Sequence, residues 1–235
     1  MIFYYVRHGD PIYVPDSLTE YGREQAKALA KRFKLYGLDE IYSSPSIRAL
    51  QTAQPTCDIL NKEPNLLDWT NESLAWQDFT IEREGKRGWF FHNNEYIDKW
   101  HTKSILATDK YCQNELEENS LRRGMERINQ KSDEFFLKLG FEHDRVKGFY
   151  RIVKSNQKRI ALFAHEAFGY AFLSSVLDIP YPLVCTRFGI GHSGVTVIYF
   201  DEKNDVVFPK VLQHSNDSHL YKEGILKGYH SKIDI

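Results

Sequence analysis

Arg7 and His8 stand within the first eight residues of the chain, directly behind an apolar run, in the stretch YYVRHGDP (4–11). Two more residues of the same types follow at a distance, Arg48 in IYSSPSIRAL and His165 in ALFAHEAF. Two guanidiniums and an imidazolium can grip the three terminal oxygens of a phosphoryl group, because arginine offers a planar fork of donors and a helix N-terminus adds free N–H groups. A second imidazole, neutral at its attacking nitrogen, can then take the phosphoryl group as a covalent intermediate. Such a site splits one difficult hydrolysis into two easier steps.

For these four residues to meet, three distant segments must arrive at one place. MIFYYV (1–6) is continuously apolar, β-branched and aromatic, the pattern of a strand buried on both faces. LTEYGREQAKALAKRFKLYG predicts a helix with Gly22, Ala26, Leu29, Ala30 and Phe33 on one side, a Ser17 or Thr19 cap, and Gly37 as its stop. LDEIYSS reads as a short strand, and Pro45 suits the first position of a helix over PSIRALQTAQPTCDILN. KRIALFA (158–164) repeats the buried-strand pattern ahead of helical FGYAFLSSVLD. GVTVIYF and VVFPKVL flank DEKND as the arms of an antiparallel hairpin, with Pro209 placing the second arm at an edge.

This alternation predicts an α/β three-layer sandwich, a mostly parallel central sheet with helices on both faces. In an open sheet of that kind, binding crevices form at the carboxyl ends of the strands, where His8, Arg48 and His165 fall. Residues 1–235 read as one domain. Within it, 78–157 has charged helical stretches and aromatic clusters but no clear strand, and is expected to be a helical insertion or cap.

With 31 Lys+Arg against 32 Asp+Glu, a net charge of -1 gives no global field for nucleic acid or an anionic membrane. Anion binding must therefore be local. Cys57, Cys112 and Cys185 form neither a disulfide framework nor a zinc pattern, so a reduced, cytoplasmic setting is expected. Arg7 and His8 arrive before any signal-peptide length of apolar residues, and no later run approaches a membrane span. The expectation is a soluble, unprocessed protein with no nucleic-acid or membrane partner and an oligomeric state left open.

VRHGDP, LTEYGREQAKALAKRF, IYSSPSIRALQTAQ and ALFAHEAFGYAFLS resemble the successive signatures of the histidine phosphatase superfamily, in its phosphoglycerate-mutase-like branch. The likeness covers the first 60 residues and roughly 158–220, and leaves 78–157 uncovered. It implies that His8, in the RHG motif, becomes phosphohistidine, and that Arg7, Arg48 and His165 form the phosphate pocket. The family's acid follows the RAxQTA helix, a position that Glu72 takes in LDWTNESLAW and that Glu82 and Glu84 fit less well. The implied reaction is hydrolysis of a small-molecule phosphomonoester with no metal and no cofactor.

Two alternatives accompany it. A mutase is disfavoured because the stretch that cofactor-dependent phosphoglycerate mutases carry after RHG is replaced here by DPIYVPDS, and a silent phosphate-binding or scaffold protein is disfavoured by the intact Arg7, His8, Arg48 and His165. Two positions depart from the familiar pattern. Pro11 stands where a hydroxyl residue often helps to hold phosphate, and Glu166 follows the second histidine where a smaller residue is commoner, its side chain expected to face away.

Other chemistry-bearing residues have plainer readings. His92, His101 and His143 lack metal-ligand spacing and read as surface residues, and His214 and His219 as structural. Trp76, Trp89, Phe90 and Phe91 are expected to pack the insertion onto the core, and Cys57 to pack its helix. Arg83, Lys86, Arg87, Arg122, Arg123 and Arg127 are interleaved with Glu115, Glu117, Glu118 and Glu126, which favours a solvated face over a second anion site.

Overall fold

Residues 2–6 of the first strand are each used by one of two cores. In a computed structural model, which describes residues 1–92, 119–202 and 205–226, β1 (Ile2–Arg7) sends Phe3 and Tyr5 to one face of a sheet and Tyr4 and Val6 to the other. A short hairpin, β2 (Pro11–Ile12) and β3 (Ser17–Leu18), leads into α1 (Glu20–Tyr36). The Thr19 side chain accepts the Gly22 N–H as its cap, and Gly37, at φ 71°, ends the helix by donating its N–H to the Phe33 carbonyl. Then come β4 (Glu40–Ser43) and α2 (Ile47–Leu60). Here the helix starts two residues later than Pro45 suggests. The Ser44 N–H still bonds across the sheet to the Phe163 carbonyl, and Ser46 is the extended N-cap.

After β5 (Asn65–Leu66) and α3 (Glu72–Asp78), the segment expected to be a helical insertion is mixed. It contains the hairpin β6 (Thr80–Arg83) and β7 (Lys86–Trp89), the long helix α4 (Asn119–Lys138), and a second hairpin, β8 (Phe141–Asp144) and β9 (Phe149–Ile152). Four-residue arms are too short to display a period of two. Their turns are visible only in hindsight, in the positive φ of Glu84, Gly85 and Gly148.

The chain then runs through β10 (Arg159–Ala164), α5 (Glu166–Leu177), α6 (Tyr181–Arg187), β11 (Val195–Tyr199), β12 (Val206–Val207), β13 (Lys210–Asn216) and α7 (Ser218–Lys222). VVFPKVL does not form one arm. Val206 and Val207 pair with β9, and β13, which begins after Pro209, pairs antiparallel with β11 at the sheet edge.

The main sheet has six strands in the order β13-β11-β1-β10-β4-β5, with β1, β10, β4 and β5 mutually parallel and β11 antiparallel to β1. Leu29, Phe33, Ala53 and Cys57 of α1 and α2 cover one face, meeting Tyr4, Val6, Phe163 and Val197. Phe135 and Phe136 of α4 and Phe168 and Phe172 of α5 cover the other, meeting Phe3, Tyr5 and Leu162. Each such side chain contributes about 1.5–3 kcal/mol by leaving water. The result is the expected three-layer α/β sandwich, with α4 belonging to its second helical layer. Register completes the arrangement: Arg7 lies opposite Ala164 and Phe163 opposite Ser43, so the next residues, His8, His165 and Ser44, emerge at the same edge.

Candidate active site

Arg7 ends β1 with its guanidinium held on several sides. NH1 donates to the Ile190 carbonyl at 2.5 Å and lies 3.1 Å from Glu166 Oε2, while NH2 donates to His192 Nε2 at 2.8 Å. Because His192 accepts at Nε2, its proton sits on Nδ1, which faces Asp10 Oδ1 at 3.4 Å. Asp10 thus fixes Arg7 through His192.

His8 is buried, and its orientation is set by a single bond. Nδ1 lies 2.7 Å from the Gly9 carbonyl, which can only accept, so Nδ1 carries the proton and Nε2 keeps the lone pair. Burial, with His165, Arg7 and Arg48 nearby, pushes its pKa well below the usual histidine range, more than the Gly9 carbonyl can offset. His8 is therefore neutral with a free Nε2. The loop after it is clamped between α2 and α1: the Gly9 N–H donates to Thr52 Oγ1 of α2, and a Cβ on Gly9 would lie 2.7 Å from the carbonyl oxygen of Gly22 on α1.

His165 caps α5 and is fully buried beneath the cavity rather than lining it. Its Nε2 lies 2.8 Å from Ser44 Oγ and 2.7 Å from Ser46 Oγ, and its ring centroid is 5.2 Å from that of His8. Burial, then Arg48 and Arg7, lower its pKa well below the ordinary value. The imidazolium expected from the sequence is thus a neutral imidazole in this structure. A phosphoryl dianion beside it would favour protonation.

Arg48 sits in the first turn of α2, its NH1 2.8 Å from Asp16 Oδ1, while Asp16 Oδ2 accepts the Ile47 N–H at 2.9 Å. The 11–18 hairpin therefore pins both the helix start and the arginine. Among the described residues, Arg7 Nε, Arg48 Nε and His165 Nδ1 are buried side-chain nitrogens with no hydrogen-bond partner. Buried donors left so are rare, and an anion would satisfy them.

Glu72, the first residue of α3, is half-buried, and its carboxylate accepts the N–H groups of Ala167 and Phe168 at 3.2 Å each. Burial raises its pKa to about 7, outweighing those two bonds and the pull of Arg48 and Arg7. A carboxyl poised there can give up a proton and take it back near neutrality. Glu82 and Glu84 lie on the β6–β7 hairpin and do not line this cavity.

The cavity holds about 750 Å³, with Arg7, His8, Arg48 and Glu72 at its floor and Tyr13, Trp76, Trp89, Phe91 and Glu166 in its wall. Two expectations change here. Glu166 faces Arg7 and the cavity because its carboxylate is drawn to the guanidinium, and three of the four aromatics form wall while only Phe90 is pure core. Away from the site, His143 is buried between Asp133 and Asp178 rather than at the surface. His92 is exposed, His219 is buried against Ser193, His214 lies near Thr196, and His101 falls outside the described residues.

His192, Asp10 and Asp16 escaped the sequence reading as site residues. A signal existed for His192: β11 runs antiparallel to β1, so the loop before it, IGHSG, reaches the same edge as the ends of β1 and β10. Among the described residues no helix is long and apolar enough to cross a membrane, and no three His, Cys, Asp or Glu side chains are grouped to hold a metal ion.

An α/β sandwich with Arg-His at the end of its first strand, a second histidine at the end of a neighbouring strand and an arginine in a helix's first turn defines a class. The chain matches the family profile of the histidine phosphatase superfamily (branch 1) over residues 3–118. Among solved structures it is similar to a phosphoserine phosphatase mutant from Entamoeba histolytica in complex with phosphoserine, at 21% identity and a TM-score of 0.60, covering 93% of this chain and 98% of that one. It is also similar to a mycobacterial glucosyl-3-phosphoglycerate phosphatase complexed with VO3 (16% identity, TM-score 0.57, 90% and 97% covered). A putative alpha-ribazole-5'-P phosphatase from Escherichia coli K-12 is a third (15%, 0.57, 92% and 98%). No curated protein matches the sequence.

Proposed function

We propose that the protein hydrolyses a small-molecule phosphomonoester through a phosphohistidine on His8. The observation that carries this reading is the state of the His8 ring, neutral, with Nδ1–H tied to the Gly9 carbonyl and Nε2 bare at the cavity floor. Arg7, Arg48 and His165 Nδ1 hold the phosphoryl oxygens, and Nε2 attacks phosphorus in line with the departing alkoxide. Glu72 gives its proton to that oxygen. The P–O bond breaks as the P–N bond forms.

In the second step the Glu72 carboxylate takes a proton from water, whose oxygen attacks phosphorus and restores His8 and protonated Glu72. The chain supplies positioning and charge stabilisation throughout. The hairpin and aromatic residues of 78–157 act as a cap over the alcohol side of the cavity. Cys57 and Cys185 are buried and form no disulfide among the described residues, which suits a reducing, cytoplasmic setting.

The test is phosphate release from p-nitrophenyl phosphate in EDTA, wild type beside His8→Ala. Release that persists in EDTA and falls at least about a thousandfold in the variant is expected. Release that His8→Ala leaves intact would sink the reading.

A further inference from the structure

The two ends of the cavity differ in chemistry. At the floor each guanidinium already has a carboxylate: Arg7 NH1 lies 3.1 Å from Glu166 and Arg48 NH1 2.8 Å from Asp16. Among the described residues no third Arg or Lys lines the cavity. The nearby cations of the 78–157 segment are engaged elsewhere. Arg87 donates to Thr80 Oγ1 and the Gln77 carbonyl, and Arg127 pairs with Asp78. A second anionic group on a substrate would therefore meet Glu166 with no described cation to pair it.

Glu166 opens onto a continuous aromatic wall. Its Oε1 accepts the Tyr170 hydroxyl at 2.9 Å, and the Tyr170 ring is 5.1 Å from Phe91, which stacks 5.7 Å from Trp89, itself 4.8 Å from Trp76. The carboxylate spends one bond on each oxygen and keeps further lone pairs, with 30% of its side chain exposed. A carboxylate at the edge of aromatic faces suits a cation, because the ring quadrupoles attract it and the carboxylate neutralises it.

Resting on the reaction proposed above, we infer that the substrate is a phosphomonoester whose alcohol carries an amino or quaternary ammonium nitrogen, seated between Glu166 and the Trp76–Trp89–Phe91 wall. Monoesters with a second anionic group are selected against. Glu166 is then a specificity residue as well as the carboxylate that pairs with Arg7.

The experiment has two arms. Calorimetry on His8→Ala compares phosphocholine and phosphoethanolamine with glycerol 1-phosphate and 3-phosphoglycerate, and kcat/KM is measured for the same four with wild type. The cationic esters are expected to exceed glycerol 1-phosphate by roughly tenfold, with 3-phosphoglycerate weaker again. Glu166→Gln and Trp89→Ala should each bring the cationic-to-neutral ratio toward one. Loss of Arg7 positioning alone would lower all four together and leave that ratio unchanged. Equal affinities, a preference for 3-phosphoglycerate, no binding of any ester, or a ratio that survives Glu166→Gln overturns the inference. Absence of phosphate release overturns the reaction instead, since the binding arm uses a variant that needs no turnover.

Discussion

His8 and His165 face each other with ring centroids 5.2 Å apart, and burial beside two arginines keeps both rings neutral. The pair divides labour through its hydrogen bonds. His8 is tied at Nδ1 and free at Nε2, and His165 is tied at Nε2 and free at Nδ1. One ring presents a lone pair, and the other can present an N–H, to the same anion.

The pH profile follows from Glu72. Protonated Glu72 is the reactive form for leaving-group departure, and its pKa is raised to about 7, so kcat/KM for an alkyl phosphomonoester should fall as pH rises through about 7. On the acid side activity should hold until His8 takes a proton, well below its ordinary value of 6.5. A profile that stays flat through pH 9 with an alkyl ester would remove Glu72 from the donor role.

Leaving-group dependence checks the same residue independently. Glu72→Ala should lower turnover of an alkyl phosphate by roughly a hundredfold to ten-thousandfold. It should cost p-nitrophenyl phosphate much less, because nitrophenolate departs without a proton. Equal losses for the two esters would argue that Glu72 merely holds α5.

Gly22 is expected to tolerate no side chain. A Cβ there would sit 2.2 Å from the Asp10 carbonyl oxygen, so Gly22→Ala should destabilise by about 1–3 kcal/mol and displace the loop behind His8. Gly88 meets nothing within 4 Å of an added Cβ and serves as the control. Urea unfolding of both variants separates a local clash from a general effect.

His143 should make stability depend on pH. Burial alone would lower its pKa, but the hydrogen bonds that its ring N–H groups donate to Asp133 and Asp178 outweigh that and the opposing Arg145, leaving it raised above 6.5. A raised folded value means that the charged form stabilises the fold: the contribution is complete below pH 6.5 and is lost as pH climbs through the folded pKa. The urea-midpoint advantage of wild type over His143→Gln should be full at about pH 5.5 and shrink as pH climbs through the raised His143 value toward about 9.

Strand ends explain what the sequence made legible. Arg7, His8 and His165 follow apolar runs long enough to be recognised as buried strands, and in a parallel sheet the end of such a run is also an address. Glu72 needed the resemblance as well, since NES reads equally as a helix start. Glu166 was placed on the wrong side because helical periodicity does not report which way a first-turn residue leans when a guanidinium lies in reach. His143 and the 141–152 hairpin went unread because four residues cannot establish alternation, and the carboxylates on either side of His143 lie 10 and 35 positions away.

The division of the cavity between core strand ends and the 76–91 segment has a consequence for descent. Chemistry is written into positions that the sheet cannot move without unfolding, whereas the alcohol side rests on a hairpin and a few rings that touch none of the reacting atoms. Relatives could exchange that segment and acquire a new diet while inheriting the same reaction. Sequence divergence in this lineage should therefore be uneven, with the hairpin drifting fastest where substrates change and the edge formed by β1, β10 and the start of α2 held still.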